Sequence, residues 1–302
     1  MEFKDLLAEY TKIAEETVCA WLPGTEGFQK TVLEASRYSV RNGGKRLRPV
    51  MMLAAYQLVS GKAEAGAVMT EAEKAAVGPF MAAIEMIHSS SLVHDDLPCM
   101  DNDVLRRGKP STWAKFGEDM GTLAGDALMI YAFETAMRSG AEPETVRKAA
   151  AVLAEKTGVS GMIGGQSVDV ELTGSRPTRE QLVYIYENKT GALIQASLMI
   201  GAILAGADGE QVKRLGEAAL AIGMAFQIRD DILDVTGTAE ELGKPIGSDS
   251  GSGKVTWLDF CGMERSEQDV KEYTEQAVAC IREMGGHTFL EHLLVSLVTR
   301  KK

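Results

Sequence analysis

The chain has 302 residues, of which 45% are apolar and 25% charged, an ordinary globular composition with enough apolar side chain for a large core. Its formal net charge of −11 argues against nucleic acid as a partner, because phosphate contacts dominate that affinity. The same charge disfavours a small anionic substrate unless cations are placed locally or metals intervene.

The opening stretch "MEFKDLLAEY" carries acids where a secretory signal has a basic and then an apolar region. Four cysteines (Cys19, Cys99, Cys261 and Cys280) form no C-x-x-C pair, which sets the expectation of reduced thiols in a cytoplasmic protein.

Taken in chain order, "DLLAEYTKIAEETVCAWL" (5–22) and "KAAVGPFMAAIEMIHSSSLVHDD" (74–96) place apolar residues at three- and four-residue spacings, which predicts helices. "TVRKAAAVLAEKTGVSGMIGGQSVDVEL" (145–172) continues that pattern as one run. Residues 190–207, "TGALIQASLMIGAILAGA", carry no charge but are interrupted by Gln195 and Ser197, so a buried core helix is expected rather than a membrane span. "QVKRLGEAALAIGMAFQIRDDILDV" (211–235) is a further helix. Breakers near 22, 59, 139, 173 and 205 separate these runs, and no alternating run supports a strand. The reading is an all-α fold in one domain over 1–302, a single large helical bundle.

Two acidic clusters stand out. In "VHDDLPCMDND" a helix through His94 delivers Asp95 and Asp96 on its last turn, and Pro98 bends the chain so that Asp101 folds back towards them. Carboxylates at a helix C-terminus oppose the dipole and call for positive charge nearby. An EF-hand is excluded, because the twelfth position from Asp101 is Thr112 rather than Glu. In "FQIRDDILD", Gln227, Asp230, Asp231 and Asp234 share one helix face within apolar surroundings. Two such motifs read as facing walls of a Mg²⁺ site, since Mg²⁺ takes few carboxylates and completes its shell with water and substrate phosphate.

Basic residues form the third feature. "GGKRLRP" brings Lys45, Arg46 and Arg48 behind a glycine pair, "RRG" brings Arg106 and Arg107, and Lys189, Lys244 and Lys254 stand in "NKTG", "LGKP" and "GSGKVT". Each alone reads as a solvated side chain; together, in an acidic chain, they read as phosphate clamps. A P-loop fails, since neither Lys244 nor Lys254 is followed by Ser or Thr.

The set GGKRLRP, DD-x-x-x-x-D with N-D-V-L-R-R-G, NKTG, Q-x-x-D-D-x-x-D and G-K-x-x-G-x-D-x-x-x-x-K-x-T resembles the trans-polyprenyl diphosphate synthases, over about residues 40–260. The resemblance implies the isoprenoid-synthase form of the helical bundle, with a central active-site cavity. It implies condensation of isopentenyl diphosphate with an allylic diphosphate, three Mg²⁺ ions and a homodimer.

It also assigns residues. Asp95, Asp101 and Asp230 would bind Mg²⁺, with Asp96 and Asp234 sharing or supporting ligation. Arg106, Lys189 and Lys254 would hold the allylic diphosphate. Lys45, Arg48, His88 and Arg107 would hold isopentenyl diphosphate, and Thr190, Gln227 and Lys244 would line the reaction centre. Trp257 and Leu258 stand where the family commonly has Tyr-Pro, a departure expected to touch only a loop. The basic end at Arg300 to Lys302 is left as either a solvated tail or a cap over the site.

In the family, bulky residues four and five positions before the first aspartate stop the growing tail; here they are Ser91 and Ser90. These lie about 6 to 8 Å below Asp95 along a helix, and Ile87 and Met86 about 12 to 14 Å below. An open floor there favours a C20 product over C15. Two other readings stay open: a class I terpene cyclase, which leaves "GGKRLRP" without a purpose, and a non-catalytic partner subunit, which would be expected to have lost ligands.

Overall fold

The computed structural model describes residues 2–62, 66–236 and 255–299. Those residues form an all-α protein: α1 (Phe3–Ala20), α2 (Lys30–Arg41), α3 (Leu47–Val59), α4 (Glu71–Asp95), α5 (Thr112–Phe116), α6 (Glu118–Ala136), α7 (Pro143–Thr157), α8 (Met162–Glu171) and α9 (Arg179–Ile185). A π-helix, Tyr186–Gly191, then leads into α10 (Ala192–Leu204), α11 (Gly209–Thr236), α12 (Trp257–Glu283) and α13 (Thr288–Thr299).

The chain divides into two compact units, one built from the described residues within Met1–Leu53 and Ala65–Ala150, the other from Ala54–Glu64 and Ala151–Lys302. In the first, α4 is the core helix, packed against α1, α2 and α6. Its start is fixed by a capping box, in which Thr70 N–H donates to Glu73 and Glu73 N–H donates to the Thr70 hydroxyl. Its middle, from Val77 to Ile87, is buried at every position, so the length and apolarity that could cross a membrane are spent on the protein's own core. Close approach of α6 rests on Gly125, where an added Cβ would lie 2.1 Å from the His94 ring.

In the second unit α11 packs against α10, α12 and the π-helix. The uncharged run is a buried helix as expected: α10 hides Leu193, Ile194, Leu198, Ile200 and Ile203, each contributing about 1.5–3 kcal/mol. The 145–172 run is two helices, not one. It breaks at Gly158–Gly161, where Gly161 adopts φ −147, ψ −131 before α8 begins.

The expectation of no strands is corrected at one place. Leu105–Arg106 (β1) pairs antiparallel with Lys109–Pro110 (β2) around the turn Arg107-Gly108. Both turn residues have positive φ (55° and 74°), as a two-residue hairpin turn demands, which explains the glycine after the arginine pair.

Candidate active-site residues

In the first unit the acidic loop folds back as its proline suggested. α4 ends at Asp95, and Asp101 N–H donates to the Asp95 carbonyl at 2.9 Å. Asp95 is half-buried, Asp101 exposed and Asp96 buried. The positive charge that the helix C-terminus calls for is Arg106. Its Nε donates to Asp96 Oδ1 at 2.8 Å, one terminal nitrogen donates to the same oxygen, and that nitrogen also reaches Asp103 at 3.0 Å. Burial pushes the Asp96 carboxyl up while Arg106 pulls it down, and the net direction is upward. Asp96 is therefore an ion-pair partner of Arg106 here.

The hairpin carrying Arg106 and Arg107 is tied down on several sides. Asn42, the C-cap of α2, donates to the Arg106 carbonyl at 3.1 Å; Tyr38 donates to the Pro110 carbonyl at 2.7 Å; and Trp113 donates to the Asp103 carbonyl at 3.0 Å. Arg107 donates to the Gly43 carbonyl, and a Cβ at Gly44 would lie 2.8 Å from its guanidinium. The glycine pair of "GGKRLRP" is thus the cradle of an arginine sixty residues further on.

Arg46 of the same motif is structural. Its fully buried guanidinium donates to Glu85 at 2.8 Å and to the Val40 carbonyl at 2.5 Å, and also pairs with Glu15. Arg48 is half-buried, its Nε has no protein partner, and Lys45 is exposed. His88 is held well below its usual value by burial and by the nearby Arg48, Arg107, Arg46 and Arg106, so it is neutral. Lys45, Arg48, His88, Arg106 and Arg107 thus belong to one unit.

Of the four chain-length positions, Met86, Ile87 and Ser90 are fully buried, and Ser90 donates to the Gly125 carbonyl of α6 at 2.9 Å. Ser90 lies about 140° from Asp95 around the helix, whereas Ser91 lies within about 40° of it. Ser90, Met86 and Ile87 therefore line no open floor. Ser91, half-buried and bonded to the His88 carbonyl, is the member with accessible surface on the Asp95 side.

In the second unit α11 presents Gln227 and Asp230 half-buried, and Asp231 and Asp234 buried. Thr190 donates to Gln227 Oε1 at 2.6 Å, which brings together two residues expected at one centre. Lys189 donates to Asp169 of α8 at 2.5 Å. The sequence reading missed Asp169; its signal was an acid one turn after the Gly-Gly-Gln of α8.

The π-helix that carries Lys189 and Thr190 is wedged by two glycines. A Cβ at Gly165 of α8 would lie 2.3 Å from the Lys189 nitrogen, and one at Gly223 of α11 would lie 2.9 Å from the Gly191 Cα. The Trp257 departure is corrected as well. Trp257 is 1% exposed, its backbone N–H donates to Asp231 at 2.8 Å and its indole donates to Asp269 at 2.8 Å, so it belongs to the core beside the aspartate motif. Lys244, Lys254 and Arg300 to Lys302 lie outside the described residues.

Among the described residues no three His, Cys, Asp or Glu side chains gather into a ready-made metal cage. Asp95 and Asp101 in the first unit, and Asp230 and Asp234 in the second, are each carboxylates of the kind through which Mg²⁺ binds, the ion taking its remaining oxygens from water and substrate phosphate.

The polyprenyl synthetase family profile matches residues 29–285. A chloroplastic geranylgeranyl pyrophosphate synthase of Capsicum annuum is 44% identical over 81% of this chain, which spans 64% of that protein's length. The farnesyl diphosphate synthase of Geobacillus stearothermophilus is 39% identical over 93% of this chain and 92% of its own. Among solved structures, a geranyltransferase of Helicobacter pylori complexed with magnesium and isoprenyl diphosphate superposes with TM-score 0.78 at 31% identity, covering 97% of this chain and 96% of that one.

Proposed function

Because the chain belongs to the polyprenyl synthetase family, we propose that it is a Mg²⁺-dependent short-chain prenyltransferase, condensing an allylic diphosphate with isopentenyl diphosphate to a C15 or C20 product. The observation that carries this reading is the seating of Arg107 on the Gly43 carbonyl and against Gly44 of the GGKRLRP motif, in the same unit as Arg106 oriented by Asp96 and Arg48 with an unpartnered Nε, in a protein of net charge −11. A cluster of that kind is built for phosphate oxygens. A cyclase handles a single diphosphate and has no use for it.

Arg48, Arg107 and Lys45 hold isopentenyl diphosphate, and neutral His88 can donate one hydrogen bond without adding charge. Arg106 and Lys189 would bind the allylic diphosphate, and Asp95, Asp101, Asp230 and Asp234 would hold Mg²⁺, with three ions expected from the family resemblance. The metal supplies the positive charge that the departing diphosphate needs. Lys189 keeps two ammonium protons for it beyond the one given to Asp169. Thr190 and Gln227 fix the polar lining beside the allylic carbon, where a cation develops. The double bond of isopentenyl diphosphate attacks that carbon, and a proton then leaves to the released diphosphate. No protein nucleophile is required.

The protein works as a homodimer in the cytoplasm. Supporting the dimer, Leu123 and Ile130 of α6 and Met137, which caps its C-terminus, recur at helical spacing and are all exposed.

The test is chain elongation with Mg²⁺, isopentenyl diphosphate and each allylic primer, with products identified by chromatography and mass spectrometry. Asp95→Ala and Asp230→Ala should each abolish turnover. Diphosphate release from the allylic substrate alone would indicate a cyclase, and no reaction at all a non-catalytic subunit.

A further inference from the structure

Asp231 shares the helix face read as one wall of the Mg²⁺ site, but it is the one aspartate of the second motif to which the resemblance assigned no role, and its surroundings supply one. It is buried, and its Oδ2 accepts two hydrogen bonds: from the Tyr186 hydroxyl at 2.5 Å and from the Trp257 backbone N–H at 2.8 Å. Tyr186 opens the π-helix and Trp257 opens α12. Four residues along the π-helix from Tyr186, and four residues back along α11 from Asp231, Thr190 donates to Gln227 at 2.6 Å. The two bonds form the rungs of an antiparallel ladder between the π-helix and α11, one turn apart. Between the elements a Cβ at Gly223 would lie 2.9 Å from the Gly191 Cα, so the backbones meet there without side-chain padding to absorb a slip.

We propose that Asp231 is a positioning residue: through Oδ2 it clasps Tyr186, and so holds the π-helix in the register that presents Lys189 and Thr190. The proposal rests on the prenyltransferase reading above. In that reading Lys189 and Thr190 act where charge develops, so losing the clasp lowers the rate of the chemical step more than it weakens ground-state binding. Trp257 joins by its backbone, and its indole is anchored separately on Asp269 at 2.8 Å, so the carboxylate also fixes the first turn of α12. Both donors converge on one oxygen. Asparagine at 231 can place its carbonyl oxygen there and keep both bonds, whereas a metal-binding carboxylate does not survive that change.

The experiment compares Asp231→Asn, Asp231→Ala and Tyr186→Phe in steady-state elongation assays, with Mg²⁺ titrations and thermal unfolding of each. Wild-type elongation is established first; its absence would defeat the prenyltransferase reading itself, separately from the clasp. The clasp requires Asp231→Asn to keep kcat within about threefold of wild type at an unchanged Mg²⁺ half-saturation. It requires Tyr186→Phe to lose about tenfold or more in kcat while both substrate KM values move less than about twofold, and Asp231→Ala to lose more still. Two results overturn it: Asp231→Asn as inactive as Asp231→Ala with a raised Mg²⁺ requirement, which makes Asp231 a metal ligand, or Tyr186→Phe at the wild-type rate. Should Tyr186→Phe not fold, Asp231→Asn decides alone, retained turnover at unchanged Mg²⁺ half-saturation supporting the clasp and lost turnover overturning it.

Discussion

Gly165→Ala tests how tightly the π-helix must be held. A Cβ at position 165 would sit 2.3 Å from the Lys189 nitrogen, 2.8 Å from the Asn188 carbonyl carbon and 2.9 Å from the Lys189 Cα, all backbone atoms that cannot rotate away. Restoring ordinary van der Waals distance moves α8 and the π-helix apart by about 1 Å in a tightly packed interior. Overpacking of this kind costs about 1–3 kcal/mol, and replacing a mid-helix glycine by alanine returns about 0.8–1 kcal/mol, so the net loss of stability is at most about 2 kcal/mol. Turnover should suffer more. A displacement of about 1 Å at reacting groups costs on the order of 100-fold in rate, equivalent to about 2.7 kcal/mol. Urea denaturation and kcat measured on the same preparation separate the two effects. If stability falls by the calculated amount while kcat stays within about threefold of wild type, the π-helix is packing and not presentation, and the reasoning fails.

Other outcomes follow from the first unit. Arg46→Met strands the buried Glu85 carboxylate, 2.8 Å from the Arg46 guanidinium, and should cost about 3–5 kcal/mol in urea unfolding, whereas an Arg46→Met, Glu85→Leu pair should recover most of it. His88 is depressed below its ordinary value of 6.5, so the unfolded chain takes up its proton first as pH falls. Its contribution to stability is complete above pH 6.5 and is lost as pH falls from there towards the folded-state pKa; thermal unfolding from pH 7.5 downward should show a shallower loss in His88→Gln than in wild type. Ser91→Phe, on the Asp95 side of α4, should shorten the product by one isoprene unit, while Ser90→Phe should instead disturb the α4–α6 seam and lower the melting temperature; product analysis and calorimetry check the pair. Chelation of Mg²⁺ should stop elongation, and added Mg²⁺ should restore it.

Helix identity was legible wherever the 3.6-residue period was sustained. α10 lies within the run that predicted it, α4 and α11 match theirs to within three residues at either end, and Pro98 correctly marked the fold-back of Asp101. The period ran on through Gly158–Gly161 because the apolar residues on either side stay in phase, so two helices read as one. The π-helix left no trace in the pattern, since it extends over a single turn and shifts the phase by only one residue. Site residues that bear charge and resemble a motif were readable; those that hold them were not. Glu85 and Asp169 each stood as a lone acid in a helix, and only the fold reveals that Arg46 and Lys189 are their partners. Ser90 was misjudged because distance along α4 was weighed without the angle around it.

Those hidden acids resolve the tension between an acidic chain and an anionic substrate. A cation meant for diphosphate oxygens is useful only if it is oriented beforehand and still has donors to give. Arg106 spends Nε and one terminal nitrogen on Asp96 and Asp103, and its other terminal nitrogen keeps two N–H groups in a plane fixed by that fork. Lys189 is aimed by one bond to Asp169, and Arg107 is aimed by a neutral carbonyl rather than a carboxylate. Preorganisation by carboxylates lowers the entropy cost of immobilising long side chains on binding. It also subtracts charge from the site: Arg48 and Arg107, proposed to hold isopentenyl diphosphate, are pulled below their usual range chiefly by burial, and Glu85 is the acid that most opposes this. Asp96, Asp103 and Asp169 are therefore a frame that sets the direction of a few cations, and the net charge of −11 is a property of the whole chain rather than of the site.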